Sequence, residues 1–467
     1  MNFFVSKLKI LAIGQKISTV CAAMLIFSLA ILGSAWLTRA AVMGSPRLSK
    51  TTTAFMLAVA SFPRRVIDVI DEFGGYGLPF SYRLLIPKEP DPGRASIGFP
   101  SSHDNGYLLF AGVDKQERSQ VVKLISVATG ADIIVWRPDW GKIAAASSPS
   151  MSRDGFDARG LLPTHPLLLA NGAVVFTTGF SLVNIDICGK TEWVIPEDFH
   201  HSVEAAPDGT LWVPSVSSDG YAWNPGLGGR FRDDAITNVD GSGKVMRRIS
   251  VAGILERNGL LSILLGSQGN SLNSDPVHLN QISIATRQSA FWKPGDLLLS
   301  LRNLSVLLVY RPSTDRVIWL KSGPWVNQHS AFFYGDSKVV LFNNNALPFL
   351  SGLGLGDVYL PPSFASGVMT YDFSTGEVHQ PFEKMLMELG VRTIDQGRVQ
   401  LLSDGGVFIE ETRSARHLRF SPDRLLWART NSFDSKTNGA VSWARYLTAE
   451  EAAPALRLIG SRSCKAR

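Results

Sequence analysis

The chain has 467 residues, of which 45% are hydrophobic and 18% charged, so its composition excludes a disordered protein and allows a large core. Its formal net charge of +6 comes from residues 1–50, which hold six Lys and Arg side chains and no acid. The remaining 417 residues balance 40 basic against 40 acidic side chains, and this balance argues against a nucleic-acid partner.

Residues 17–38 read ISTVCAAMLIFSLAILGSAWLT and carry no charge. A helix of this length spans a bilayer core of roughly 30 Å. Three lysines precede the segment, and positive charge tends to stay in the cytoplasm. We therefore predict a cytoplasmic N-terminus at residues 1–16, an uncleaved transmembrane signal anchor at residues 17–38, and export of the rest. A cleaved signal peptide is the alternative, although its apolar region would normally be about 7 to 15 residues long.

The segment after the anchor is predicted to be a helical stalk or linker, at residues 39–95. Within it, residues 53–73 have apolar positions at helical rather than alternating spacing, interrupted at Pro63. A packing helix or a membrane-proximal stalk would both fit this pattern.

The chain has three cysteines. Cys21 lies in the predicted anchor, so Cys188 and Cys464 form the only possible exported pair, and the sequence does not establish whether they bond. No CxxC pair, zinc spacing or haem motif is present, so metal binding through thiolates is not expected.

Beyond about residue 100, a tight turn followed by a short apolar run recurs six times. Each turn contains a glycine that can supply the positive φ of a hairpin: Gly106, Gly172, Gly209, Gly295, Gly335 and Gly405. Each of these segments is followed by a second recurring segment, which consists of an apolar run, a turn and another strand. Four of these second segments contain a tryptophan, at Trp136, Trp193, Trp319 and Trp427. Two hairpins per unit indicate six four-stranded units, which is typical of propeller blades.

We predict an all-β fold, a six-bladed β-propeller at residues 96–435, preceded by the N-terminal transmembrane helix. Each four-stranded blade has an apolar face that only a neighbouring blade can bury, and closure into a ring removes the exposed edge. The four tryptophans are expected to pack between blades. Residues 436–467 form a C-terminal segment that could close the propeller.

The first strand of each propeller blade lines the central channel, so the residues before each first hairpin face the expected site. Histidine or glutamine occupies these positions in several blades: His165, His200, His201, His278, His329 and Gln396. A ring of imidazoles can accept protons, act as a nucleophile or hold anionic oxygens, whereas a single histidine can simply satisfy backbone groups at a strand end. Three neutral imidazoles could also ligate zinc or copper, but we assign no metal and no cofactor.

Longer phrases in the same region resemble the bacterial arylsulfate sulfotransferase family. They are DPVHLNQI, GDLLLSLRNLSVLLVY and DRVIWL, followed by QHSAFFYGDSKVVLFNN and preceded by HHSVEAAPDGTLWV. The resemblance covers roughly residues 160–430, with the D-x-x-H-x-N and Q-H…LFNN phrases in the family's order. It implies a six-bladed propeller in the periplasm, here held at the inner membrane by the predicted single-pass anchor. It also implies transfer of a sulfuryl group from a phenolic sulfate to another phenol through a sulfated histidine, without a nucleotide.

Carried over residue by residue, the resemblance makes His278 and His329 catalytic histidines, with Asn280 supporting the first and His201 at a third related position. Arg302 follows the first strand pair of its blade and is the best-placed cation for the anionic oxygens. The predicted catalytic residues are His278, His329, His201 and Arg302. The predicted substrate-binding residues are Asn280, His165, Gln396 and Arg398.

The chain departs from the family pattern in its last two blades. The family has an arginine after the LFNN phrase and a nucleophilic histidine at the start of the last blade, whereas this chain has no arginine at the first place and Gln396 with Arg398 at the second. Glutamine cannot carry a sulfuryl group. His417 lies past the first hairpin of that blade and is predicted on an outer strand. Another histidine must then take the role, or the propeller is kept without the reaction.

Two other functions therefore compete with a sulfotransferase that acts on a phenolic sulfate and a phenol. One is a non-catalytic, membrane-anchored propeller whose channel binds an anionic or phenolic ligand. The other is an envelope scaffold that uses blade edges and loops, such as residues 221–238, and does not need the histidines.

Overall fold

The computed structural model describes residues 24, 27–40, 48–49, 51–52, 55–56, 59, 80–88, 104–153, 156–217, 231–266, 274–347, 358–359 and 365–461, and the structural statements below concern these residues. The chain divides into two compact units, Met1–Gly77 and Leu78–Arg467.

In the first unit, residues 27–40 are helical, and large apolar side chains on this helix, such as Phe27 and Trp36, are exposed. None of the helices in the described residues is both long and apolar enough to cross a bilayer. The predicted anchor at residues 17–38 lies partly outside the described residues, and most of the predicted stalk at residues 39–95 lies outside them too.

The second unit is built mainly of short strands. The first fourteen in chain order are β1 (Leu85–Pro87), β2 (Tyr107–Asp114), β3 (Ser119–Ser126), β4 (Asp132–Trp136), β5 (Thr164–Leu168), β6 (Val174–Thr177), β7 (Leu182–Ile185), β8 (Thr191–Ile195), β9 (Glu204–Ala205), β10 (Leu211–Val216), β11 (Asp234–Val239), β12 (Val245–Ser250), β13 (Leu279–Ile284) and β14 (Leu297–Leu301). The others are β15 (Val306–Arg311), β16 (Arg316–Ser322), β17 (His329–Tyr334), β18 (Lys338–Asn343), β19 (Ala346–Leu347), β20 (Val358–Tyr359), β21 (Gly367–Asp372), β22 (Val378–His379), β23 (Arg398–Leu401), β24 (Val407–Glu411), β25 (Arg416–Phe420), β26 (Leu425–Thr430), β27 (Thr437–Gly439) and β28 (Arg445–Leu447).

The described helices of this unit are short connections, apart from the last one. They are α1 (Trp140–Ala145), α2 (Ser150–Arg153), α3 (Val251–Arg257), α4 (Leu261–Gly266), α5 (Glu383–Glu388) and α6 (Ala449–Ser461).

Six four-stranded antiparallel sheets form the blades of a propeller. From the inner strand outwards, blade 1 is β28-β2-β3-β4, blade 2 is β5-β6-β7-β8, blade 3 is β9-β10-β11-β12, blade 4 is β13-β14-β15-β16, blade 5 is β17-β18-β21-β22 and blade 6 is β23-β24-β25-β26. Two additional pairs, β1-β27 and β19-β20, lie outside the blades. The predicted all-β, six-bladed propeller is therefore confirmed.

Apolar side chains fill the spaces between blades, because a central strand that is buried on both faces sends alternate side chains to two neighbours. In β2, Leu109 packs against blade 2 while Leu108 and Phe110 pack against blade 6. Six apolar clusters lie between successive blades, and together they close the ring. The four tryptophans predicted between blades all lie in or against these clusters.

Blade 1 takes its inner strand from the C-terminal segment, since β28 pairs with β2 through Tyr107 and Leu447. This arrangement explains the one glycine that departs from the turn prediction. Gly172, and four of the other predicted turn glycines, have positive φ, but Gly106 does not. No hairpin is needed at Gly106, because the strand paired there arrives from the other end of the unit.

Candidate active site

Imidazoles from blades 2 to 5 meet around His201, which precedes the inner strand of blade 3. Its ring centroid lies 5.0 Å from that of His278 in blade 4, 6.3 Å from that of His329 in blade 5 and 6.5 Å from that of His165 in blade 2. Trp443 of blade 1 also joins this group, at 5.7 Å from His201 and stacked on His165 at 4.3 Å. Four of the five predicted channel histidines are thus brought together, and His200 lies directly behind His201.

Backbone geometry at the start of the inner strands repeats from blade to blade. One non-glycine residue there has left-handed φ in every blade: His165 (53°), His201 (58°), His278 (53°), Ser330 (55°), Gln396 (62°) and Trp443 (54°). This conformation costs L-residues about 1–2 kcal/mol each and is concentrated at functional sites. The inner strands β5, β13 and β17 also carry a register shift beside their histidine, which re-aims side chains.

The histidine of the phrase DPVHLNQI is held by a carboxylate. Asp275 Oδ2 lies 2.5 Å from Nδ1 of His278, and an ionised carboxylate can only accept a hydrogen bond. Nδ1 of His278 therefore carries a proton, so in the neutral imidazole Nε2 has the lone pair. The side chain of His278 is about a quarter exposed, 24%, so this imidazole is open to a ligand.

In His329, too, Nδ1 carries the proton, and here the acceptor is the side-chain amide of Asn344. Nδ2 of Asn344 donates to the carbonyls of Thr393 and Gln396, so its Oδ1 accepts from His329 Nδ1 at 2.7 Å. Burial lowers the pKa of His329 to about 3, and the positive charge of Arg302 adds to this effect. His329 is therefore neutral at physiological pH and presents a lone pair at Nε2.

Arg302 is the cation of this side of the channel. Its backbone N–H donates to the carbonyl of His278 at 3.1 Å, which ties the start of the 3-10 helix Arg302–Leu304 to that histidine. The residue is 8% exposed, its Nη1 donates to Asn303, and no carboxylate of the described chain lies within 4 Å of it. Asp275 and Asp395 are its electrostatic neighbours. A buried guanidinium with no direct counter-ion among the described residues is suited to binding an anion.

A second buried guanidinium lies beside His165. Arg398 is 1% exposed, its Nη1 is 3.5 Å from His165 Nδ1, and it packs over the ring of Phe332. Burial lowers the pKa of Arg398 to about 9, with the neighbouring Arg445 contributing, so it remains cationic at pH 7. The pKa of His165 is held well below 6.5 by burial and by Arg398, and its buried Nε2 has no hydrogen-bond partner among the described residues.

Two predicted binding residues, Asn280 and Gln396, have hydrogen bonds with neighbouring segments. Asn280 is buried, its Nδ2 donates to the carbonyl of Gln328 at 2.7 Å, and its Oδ1 has no hydrogen-bond partner among the described residues. Gln396 accepts from Asn344 through its backbone carbonyl at 2.7 Å. Within the described part of the chain, neither side chain has a recorded contact with the imidazoles. His417, as predicted, lies on the third strand of its blade, where it is buried 3.1 Å from Glu410.

Sequence reasoning missed Trp443. The residue comes just before β28, the inner strand from the C-terminal segment, so no hairpin follows it in the sequence and the repeat pattern did not reach it. Both oxygens of the buried Glu410 carboxylate accept backbone N–H groups here, from Trp443 at 2.7 Å and Ala444 at 2.6 Å. Asp275 and Asn344 were also missed, although both stand in the phrases DPVHLNQI and LFNN that carried the resemblance.

Within the described ranges, no group of three or more His, Cys, Asp and Glu side chains has an arrangement that could hold a metal ion.

The fold is a propeller in which histidines at the starts of the inner strands of blades 2 to 5 meet around His201. The chain matches the family described as Arylsulfotransferase (ASST) over residues 181–431, which is more than half of its length. The protein belongs to the arylsulfotransferase family.

The solved structures that match this chain are distant in sequence. A protein of unknown function from Bacteroides caccae is 11% identical, with a TM-score of 0.45, and the match covers 74% of this chain and 99% of that one. TolB from Acinetobacter baumannii is 10% identical, with a TM-score of 0.41, covering 75% and 68%. A streptogramin B lyase is 9% identical, with a TM-score of 0.37, covering 76% and 85%. No curated protein matches the chain.

Proposed function

We propose that this protein is an aryl sulfotransferase that moves a sulfuryl group from a phenolic sulfate to a phenol through a channel histidine, without a nucleotide. The observation that carries the proposal is the meeting of His201, His278 and His329, with centroids 5.0 and 6.3 Å from the first, beside Arg302. Family membership supports the reaction class, and the geometry supports the reacting groups.

The two kinds of side chain supply complementary chemistry. An imidazole with a free Nε2 lone pair can attack the sulfur or take the proton of an acceptor phenol. A guanidinium in a water-poor channel stabilises the oxygens on which negative charge develops, as in phosphoryl transfer. We assign the oxygens to Arg302 and to Arg398 with His165. Asn280 and Gln396 are assigned to holding the inner strands in place.

We also propose that the propeller lies in the periplasm and that residues 17–38 anchor it in the inner membrane. Cys188 is disulfide-bonded, and structural disulfides persist in oxidising compartments rather than in the cytosol. Exposed apolar side chains on the helix at residues 27–40 need cover, which a bilayer would supply. Fractionation of cells with protease protection of the propeller tests this placement.

Transfer itself is tested with the purified protein, phenyl sulfate as donor and a second phenol as acceptor. We expect sulfation of the acceptor, reduced by about 100-fold or more in His278→Ala and His201→Ala. The matched control is His379→Asn, since His379 is exposed on blade 5 and 3.4 Å from Glu377. Absence of transfer by the wild type would refute the proposal. If phenyl sulfate then raises the melting temperature in the wild type but not in His278→Ala, the binding propeller is the function instead.

A further inference from the structure

A layer of polar side chains lies next to the imidazoles in the channel. Its members are Arg445 of β28 in blade 1, Glu204 of β9 in blade 3 and Gln281 of β13 in blade 4. Each stands two or three positions after the residue with left-handed φ that begins its inner strand. Because a strand rises about 3.3 Å per residue, these side chains start roughly 7–10 Å further along the inner strands than those first residues. We call the three side chains the polar layer.

The ion pair between Arg445 and Glu204 joins blades 1 and 3, which are not neighbours in the ring. Nη1 of Arg445 lies 3.0 Å from Oε2 of Glu204, and Nη2 lies 3.0 Å from Oε1, which is the two-point geometry of a strong pair. Nε donates to the carbonyl of Pro166 in blade 2 at 2.7 Å, and Nη2 also donates to the carbonyl of Val203. Gln281 continues the pair into blade 4, since its Nε2 lies 3.2 Å from Oε1 of Glu204. Inner strands of blades that are not neighbours face each other only across the channel, so the polar layer spans the part of it that blades 1 to 4 line.

Blades 5 and 6 fill the other part of the channel at the same depth. Arg398 stands two positions after Gln396, and its guanidinium packs over the ring of Phe332 in blade 5, 5.2 Å from the ring centroid. Its Nε lies 3.4 Å from Oε1 of Gln400. Gln400 in turn bonds the backbone of Tyr446 in blade 1, accepting from its N–H at 2.9 Å and donating to its carbonyl at 3.1 Å. Contacts at this depth therefore run through all six blades and return to blade 1.

The side chains of the polar layer are held in place by one another. Nε, Nη1 and Nη2 of Arg445 all donate to acceptors in blades 2 and 3. The carboxylate of Glu204 accepts from Arg445 with both oxygens and from Gln281 with one. Several hydrogen bonds must therefore break before Arg445 or Glu204 can rotate aside.

The polar layer is nearly closed to water. Arg445 and Gln281 are buried, as is Arg398, and Glu204 has 15% of its side chain exposed. Among the imidazoles, by contrast, His278 has 24% of its side chain exposed. The imidazole group is therefore open to solvent at His278, and the polar layer limits access further along the channel.

We propose that the polar layer makes the protein a transferase rather than a sulfatase, by keeping water from a sulfuryl group bound to a channel imidazole. This rests on the proposed function. It does not depend on which imidazole carries the group, because the layer lies along the inner strands of three of the blades that meet at the site. Arg445, Glu204 and Gln281 are specificity-determining residues, since they set the ratio of hydrolysis to transfer without touching the reacting atoms.

Water competes with the acceptor phenol for a sulfated imidazole. Its oxygen attacks sulfur, and the bond between sulfur and nitrogen breaks, with its electron pair returning to nitrogen. Hydrogen sulfate leaves with one proton of the water, and the imidazole keeps the other. Closing a site against water is a general means of preventing such hydrolysis. The acceptor phenol itself displaces water on the exposed side near His278, so the polar layer matters on the side that the acceptor does not cover.

Two double variants that remove the same two charges test this role. Arg445→Met with Glu204→Met replaces the ion pair by long apolar side chains, whereas Arg445→Ala with Glu204→Ala leaves a gap. Each protein is given phenyl sulfate and a saturating acceptor phenol, and ion chromatography quantifies inorganic sulfate and sulfated acceptor. We expect the ratio of hydrolysis to transfer to rise at least about 10-fold in the double alanine variant. In the double methionine variant the ratio should stay within about threefold of the wild type, because apolar side chains of comparable volume can replace a buried ion pair.

The matched control is Arg137→Ala with Glu117→Ala, which removes an Arg–Glu pair at 2.6 Å whose arginine side chain is 61% exposed. Its ratio of hydrolysis to transfer should equal that of the wild type. An unchanged ratio in the double alanine variant, or an equal rise in both double variants, would overturn the role of the polar layer and leave the proposed function intact. Absence of transfer by the wild type would refute both.

Gln281→Ala decides the matter if the double alanine variant does not fold, as judged by its melting temperature. This substitution opens the blade 4 end of the polar layer and leaves the ion pair between Arg445 and Glu204 in place. We expect the ratio of hydrolysis to transfer to rise about threefold or more. A ratio equal to that of the wild type would then overturn the proposal.

Discussion

At the scale of single residues, the chemistry of each channel histidine depends on the hydrogen-bond acceptor at its Nδ1. His278 donates Nδ1–H to Asp275, and His329 donates it to Asn344. A fixed acceptor at Nδ1 leaves a lone pair at Nε2, and burial keeps His329 uncharged. Histidine positions could be found from the blade repeat, but the protonated nitrogen could not. It depends on side chains such as Asn344, whose distance from the ring is set by the fold.

The lowered pKa of His329 has a consequence for stability. Its pKa is about 3 in the folded protein and about 6.5 in an unfolded chain, so between these values only the unfolded chain binds the proton. The residue therefore lowers the free energy of unfolding as the pH falls below 6.5, by up to about 1.4 kcal/mol per pH unit. His329→Asn should show a shallower decline than the wild type in urea unfolding at about pH 7, 6 and 5. His379→Asn is the control, and parallel curves for His329→Asn and the wild type would contradict the buried neutral imidazole.

Arg302 is expected to bind the anionic part of the donor. Because it has no carboxylate within ion-pair distance in the described chain, its removal frees no buried acid and mainly removes positive charge. Arg302→Gln should weaken competitive inhibition by inorganic sulfate about tenfold or more. Arg316→Gln, on the exposed strand β16, is the control. Equal sulfate inhibition in the wild type and Arg302→Gln would place the anion elsewhere.

At the scale of the element, each inner strand begins with a turn in the left-handed region. Blade 6 adds Gly397, whose φ is 102° and whose added Cβ would lie 2.5 Å from Phe342. The carbonyl of Gly397 also accepts from the indole of Trp443 at 3.1 Å. The start of β23 therefore contacts the cluster between blades 5 and 6 through Phe342, and it contacts the channel through Trp443.

Gly397→Ala separates close packing from backbone strain. Gly209, with φ of 83°, has open space around the added Cβ, so Gly209→Ala reports the strain alone. We expect Gly209→Ala to cost about 1 kcal/mol in the free energy of unfolding and Gly397→Ala about 1–3 kcal/mol more, because Phe342 must move. Denaturant unfolding of both variants measures the difference. Equal costs would mean that the approach to Phe342 is not tight.

The blade count followed from local signals, since glycine turns and alternating apolar runs are encoded within each hairpin. The exception was blade 1, where the turn expected at Gly106 is absent because β28 arrives from the other end of the unit. A pairing between strands at opposite ends of the unit leaves no local pattern. Trp443 was missed for the same reason, and with it one wall of the candidate site.

At the scale of the whole molecule, the propeller is closed by the strand from its C-terminal segment. Ala455 and Ile459 of α6 then pack into the cluster between blades 1 and 2. A ring in which each blade buries the face of the next leaves no blade able to fold alone. The channel therefore exists only when the last strand is in place.

Truncation tests this dependence. A chain ending at residue 439 lacks Trp443, β28 and α6, whereas a chain ending at residue 461 keeps them all. We expect the first to lose the cooperative thermal transition and the second to melt within a few degrees of the full chain. Circular dichroism during heating measures both. A cooperative transition in the shorter chain would show that β28 is dispensable for closure.

The central claim is that a sulfuryl group rests on a channel imidazole between donor and acceptor, and pre-steady-state kinetics tests it most directly. With phenyl sulfate in excess and no acceptor phenol, the account predicts a rapid release of about one phenol per protein chain, followed by slow hydrolysis. The burst should disappear in His201→Ala and persist in His379→Asn. Acceptor sulfation without a burst in the wild type would instead indicate direct transfer between the two phenols and would contradict the account.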